Sequence, residues 1–129
     1  MELNTITGII IEGSIRLHRE LGPGLLESVY EAVLAKRLVA RGLKVRRQVI
    51  VPIIIDGESF GEGFRLDLLM EDVVIVELKS VIDMPLVYFK TVQTYLRLMD
   101  LRIGLLINFG AETLIEGLHR IANKYMDNP

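Results

Sequence analysis

Leu3, Ile6, Ile10, Leu17 and Leu21 recur near the spacing of one helical face and predict a helix over residues 3–20. Gly22-Pro23-Gly24 breaks that pattern. A second helix is predicted over residues 25–41, with Gly42 where a C-terminal cap favours glycine. From residue 45 the period changes. Val45 to Ile55 is rich in β-branched residues and interrupted by Pro52, which suits an edge strand or a bulge. Asp56-Gly57 is a turn signal, and residues 64–70 and 73–78 read as a hairpin around Glu71-Asp72.

After Pro85, residues 86–99 again show helical spacing. Residues 103–109 form a short unbroken apolar run, as expected of a strand covered on both faces. Leu114, Leu118, Ile121 and Tyr125 predict a closing amphipathic helix. The predicted order is helix, helix, three strands, helix, strand, helix. A strand followed by a helical crossover to another apolar strand implies an α/β fold with a mixed sheet flanked by helices.

At 129 residues the chain is sized for a single domain, without repeats or a linker. Half the residues are apolar and the mean hydropathy is +0.38, a surplus that predicts burial in a homo-oligomer interface. The absence of cysteine excludes disulfides, thiolate metal sites and cysteine nucleophiles. No basic region precedes an apolar stretch at the N-terminus, and Glu12 stops Ile9-Ile10-Ile11. No apolar run approaches the roughly 20 residues of a membrane helix. The expectation is a cytoplasmic protein with no membrane segment.

Net charge is −2, so the molecule as a whole does not attract polyanions. Lys36, Arg37, Arg41, Lys44, Arg46 and Arg47 nevertheless fall together, with no acid between Glu31 and Asp56. Two readings stand: a solvated helix end running into a protected edge strand, or a nucleic-acid contact surface.

The chemistry concentrates on the hairpin. Glu77 and Lys79 lie within and just after an apolar run that must have a buried side, and unpartnered charges there cost several kcal/mol. Strand alternation puts Glu77 and Lys79 on one face. A two-residue turn at Glu71-Asp72 would set Asp67 against Val76, whereas a three-residue loop or a bulge sets it against Glu77. So aligned, Asp67 and Glu77 offer hard oxygen ligands for Mg²⁺ or Mn²⁺, and Lys79 can orient a water or stabilise charge on phosphorus. A buried ion pair without catalysis accounts for the same residues.

Glu27 shares a helical face with Tyr30 and Leu34, beside the stripe that should pack on the sheet. It reads either as a third acid at the site or as a first-turn acid favoured by the helix dipole. Arg65 precedes Asp67 by two and so shares its strand face, within reach of a phosphate or an acid. His18 and His119 have no ligand spacing, and the glycines form no phosphate-binding loop.

The segment His18-Arg19-Glu20-Leu21-Gly22-Pro23-Gly24-Leu25-Leu26-Glu27-Ser28-Val29-Tyr30 resembles the signature of the GxxExxY proteins, with Gly24, Glu27 and Tyr30 in the named positions. Residues 64–69, 74–80 and 104–110 continue the resemblance, which covers nearly the whole chain. That family is placed in the PD-(D/E)XK nuclease-like superfamily. The resemblance implies a restriction-endonuclease-like core, Glu27, Asp67 and Glu77 around a metal, and Lys79 beside the water. Leu66 stands where the superfamily's name has proline. Relatives often carry glutamine one turn before the tyrosine that aligns with Tyr95, but that position is Thr91 here, and Gln93 faces nearly the opposite side of the helix.

The expected function is metal-dependent phosphodiester hydrolysis of DNA or RNA, with Asp67, Glu77, Lys79 and Glu27 catalytic. Arg65, Tyr30, Tyr95, Arg46 and Arg47 are candidates for substrate contact. The alternative is a non-catalytic nuclease-fold protein, a nucleic-acid-binding or oligomeric accessory module.

Overall fold

The computed structural model describes residues 1–126. Helices α1 (Leu3–Leu21) and α2 (Glu27–Ala40) are followed by strands β1 (Val45–Ile55), β2 (Glu58–Met70) and β3 (Val74–Lys79). Helix α3 (Leu86–Met99) leads to β4 (Ile103–Asn108), a single turn α4 (Leu114–Gly117) and β5 (Leu118–Ala122). The five strands lie in chain order in one mixed sheet. β3 and β4 are parallel because α3 makes the crossover between them, and the remaining pairs are antiparallel.

Helices cover both faces. On one, Ile6, Ile10 and Leu17 of α1 and Leu34 and Leu38 of α2 pack over Leu68, Val76, Leu78 and Leu105. On the other, Val92 and Leu96 of α3 pack over Leu66, Ile75 and Leu106. The two-sided cover explains why β3 and β4 are apolar almost without break. Buried Ser14 in α1 is satisfied locally, its hydroxyl donating to the Ile10 carbonyl at 2.8 Å. Among the described residues no helix is long and apolar enough to cross a membrane.

The hairpin has a three-residue loop, one of the two predicted solutions. Met70 pairs with Val74, leaving Glu71, Asp72 and Val73 in the turn, with positive φ at Glu71 and Asp72. Pro52 is both on an edge strand and at a bulge: Val51 pairs with Phe64 but Ile53 pairs with Phe60. Gly63 is required in that bulge, because a Cβ there would stand 1.9 Å from Ile53 Cγ1. β2 starts at Glu58, earlier than the predicted residue 64, directly after the Asp56-Gly57 turn.

The closing helix is a correction. Only Leu114–Gly117 is helical, and Leu118–Ala122 pairs antiparallel with β4. A spacing of three puts Leu118 and Ile121 on opposite faces of a strand, and both faces here are covered. Leu118 packs against the hydrophobic cluster on the α1–α2 face, Ile121 within the one on the α3 face. The helical periodicity was satisfied by a different geometry, and the edge of β4 gained a partner.

Candidate active site

Asp67 lies where the sheet is interrupted on both sides. The β2–β3 ladder runs from Met70–Val74 to Leu68–Val76, and its next step would pair Asp67 with Glu77. Side-chain bonds replace the main-chain ladder there: Asp67 N–H donates to Glu77 Oε1 at 3.1 Å, and Leu78 N–H donates to Asp67 Oδ2 at 2.8 Å. On the other side the β1–β2 ladder omits Gln48, whose φ is 49°. Leu66 packs under α3 while Leu68, two residues on, packs under α1 and α2, so strict alternation fails at Asp67.

Glu77 is 7 % exposed. Burial first, then the neighbouring Asp67 charge, pushes its carboxyl up to about 8. Lys79 follows on the same face, and its Nζ lies 4.2 Å from the centre of the Tyr88 ring on α3. Tyr95, two helical turns on from Tyr88, stacks on Phe64 at 4.3 Å between ring centres. Its phenol is pushed up by burial and then by the charges of Glu77 and Asp67.

Glu27 opens α2 and reaches solvent. Its carboxyl is raised by partial burial, opposed by the Lys79 charge and reinforced by that of Asp67. Three hydrogen bonds bring it there. The Tyr30 hydroxyl donates to the Gly22 carbonyl at 2.5 Å and accepts from Leu25 N–H at 3.2 Å, while Ser80 Oγ donates to the Leu25 carbonyl at 2.7 Å. Gly22 and Gly24, at φ 71° and 102°, supply the left-handed backbone that this turn requires. Thus the end of β3 and the start of α2 are tied together.

Several expected residues are not gathered. Tyr30 is fully buried, stacked on Phe109, and its hydroxyl is spent on the turn, so it positions Glu27 instead of touching substrate. Phe64 and Leu66 both pack under α3, so Arg65 between them projects from the opposite face to Glu77. Arg46 pairs with Asp72 and Arg47 with Glu31, each at 3.1–3.2 Å, and Arg37, Arg41 and Lys44 have acid partners too. Five of the six cations of the basic segment thus have an acid partner, with Lys44 and Arg46 sharing Asp72. Thr91 Oγ1 donates to the Val87 carbonyl within its own helix, and Gln93 bonds to the end of β5, away from Tyr95. His18 bonds to the Ala111 carbonyl and His119 packs edge-on to Phe89.

Sequence reasoning missed Tyr88 and Ser80. The seven-residue spacing of Tyr88 and Tyr95 was a signal for Tyr88; nothing local marked Ser80.

The donor set suits a hard divalent ion in one respect: two adjacent carboxylates, one buried, have no cation bridging them among the described residues. Among the described residues no three acidic or imidazole side chains converge as ligands. Glu27, expected with Asp67 and Glu77 around the ion, therefore stands outside their immediate geometry.

An α/β fold whose mixed sheet carries paired acids and a lysine at the interrupted end of a central hairpin is a nuclease-like architecture. The model of the PD-(D/E)XK nuclease superfamily matches residues 4–121, and the chain belongs to that superfamily. Its nucleases generally use divalent metals. No curated protein matches. Among solved structures, the crystal structure of SSO0001 is similar at a TM-score of 0.45 and 17 % identity, over 95 % of this chain and 79 % of that one.

Proposed function

We propose that this protein hydrolyses phosphodiester bonds in DNA or RNA at Asp67, Glu77 and Lys79, and that it is one of the GxxExxY proteins within the superfamily. The observation that carries the reading is the buried Glu77 carboxyl abutting Asp67. Two such groups resist joint ionisation, and a bound cation removes the conflict. Asp67 and Glu77 would hold Mg²⁺ or Mn²⁺. When bound, the ion would polarise a phosphoryl oxygen and acidify a water.

The chain's own groups do the rest. Lys79, seated against Tyr88, directs its ammonium to the water or to the charge growing on the phosphoryl oxygens. Glu27, with raised proton affinity and access to solvent, takes up the proton that the attacking water releases. Tyr95, stacked on Phe64 and with its phenol raised in part by the carboxylate charges, is a candidate contact from the α3 side. Ile54 and Phe60, 69 % and 52 % exposed on the β1–β2 ribbon, support the expected homo-oligomer, which light scattering tests directly.

The test is cleavage of labelled single- and double-stranded DNA and RNA with Mg²⁺ or Mn²⁺, comparing the protein with Lys79→Ala. Cleavage lost in the variant supports the reading. If both are folded and equally inert, catalysis falls and the accessory role takes its place.

A further inference from the structure

The cavity between α3 and β5 has a volume of about 580 Å³ and is lined by Lys90, Gln93, Arg97, Lys124 and Tyr125 among others, with no carboxylate among the described residues of its walls. We infer that it docks the phosphate backbone of a single-stranded nucleic acid, apart from the paired carboxylates. The inference rests on the nuclease reading for the identity of the strand. Its geometry is independent of that site.

Charge distribution makes the cavity distinctive. The chain carries a net charge of −2, and Arg37, Arg41, Lys44, Arg46 and Arg47 are each matched with an acid. Arg97 and Lys124 instead share the ring of Tyr125, at 5.4 and 5.5 Å from its centre. A cation–ring contact at an exposed site contributes only about 0.5–1 kcal/mol, and two like charges beside one ring repel. An anion between them is attracted by both.

The wall is built before any ligand arrives. Gln93 Nε2 donates to the Ala122 carbonyl at 2.6 Å and its Oε1 accepts from Lys124 N–H at 3.3 Å, fixing the end of β5 against α3. Tyr125 is 62 % exposed, and cations beside an open aromatic face are the combination that holds a phosphate while an unpaired base stacks. Helix α3 separates the two sites. Tyr88 meets Lys79 on one flank, while Lys90, Gln93 and Arg97 line the cavity on the other, so a strand crossing the helix reaches both.

The experiment is fluorescence polarisation of a labelled single-stranded oligonucleotide in EDTA, so that binding is read without cleavage. Arg97→Ala/Lys124→Ala is compared with Arg19→Ala/Lys36→Ala, which removes the same charge from α1 and α2. The first pair should weaken binding about tenfold or more, and its salt dependence should flatten by about 0.7 per lost phosphate contact. Tyr125→Ala should weaken binding without changing that slope. Equal losses in the two double variants, an unaffected Arg97→Ala/Lys124→Ala protein, or no binding by the unaltered protein overturns the inference. Retained, pair-specific binding by a protein that cleaves nothing upholds it while removing the nuclease reading.

Discussion

Asp67 and Glu77 clasp each other's strand: the Asp67 amide donates to the Glu77 carboxyl, and the Asp67 carboxyl accepts from the amide of Leu78. Two carboxyls thus replace two main-chain acceptors, and the ladder ends without leaving either amide unpaired. The same exchange brings two acids together in a poorly solvated corner. Structural satisfaction and chemical tension have one origin here.

That tension predicts a stability profile. Glu77 is raised in the folded protein to about 8 from an ordinary value of 4.5. Between these values the folded state holds a proton that the unfolded chain has released, so stability falls as pH rises through the window. The loss is on the order of a few kcal/mol. Thermal melts in EDTA should show it for the unaltered protein, and Glu77→Gln should flatten it. An equally steep profile in Glu77→Gln would assign the effect to other groups.

Divalent ions should act on the same corner. A ligand that binds only the folded state stabilises by about 1.4 kcal/mol at ten times its Kd, a shift of several degrees in Tm for a domain of this size. Mn²⁺ should therefore raise the melting temperature, and Asp67→Asn should remove most of the rise while keeping an acceptor for the Leu78 amide. A full shift in Asp67→Asn would place the ion elsewhere.

Tyr30→Phe tests how Glu27 is positioned. The substitution keeps the ring stacked on Phe109 but leaves the Leu25 amide and Gly22 carbonyl without the hydroxyl that joins them. Denaturant unfolding should show a loss of about 1–3 kcal/mol. A protein of unchanged stability would mean that the turn holds without this bridge.

Gly63 can be tested against its neighbour. Gly63→Ala brings a methyl into Ile53 and should cost about 1–3 kcal/mol. Adding Ile53→Ala should recover part of that loss, a coupling that a double-mutant cycle measures. Strictly additive losses would show that the strain lies in the backbone.

Much of the fold was legible because it is local. The stripe from Leu3 to Leu21, the break at Gly22-Pro23-Gly24 and the unbroken apolar run before Asn108 each report on residues a few positions apart. The register of Asp67 against Glu77 was narrowed to two solutions by chemistry alone, and the loop of Glu71, Asp72 and Val73 selected one. Leu114, Leu118, Ile121 and Tyr125 misled because the spacing of a helical stripe also suits a strand covered on both sides.

Sequence alone therefore determined the two long N-terminal helices, the crossover helix, the central strands and the residues worth suspecting. Tertiary structure decided that β4 would take β5 as its neighbour, and that Asp72 and Glu31 would pair with Arg46 and Arg47. It also decided that Glu77 would sit dry enough to hold its proton. Periodicity is set by bonded neighbours within a turn or two, whereas pairing, neutralisation and desolvation depend on groups that meet only when distant segments pack.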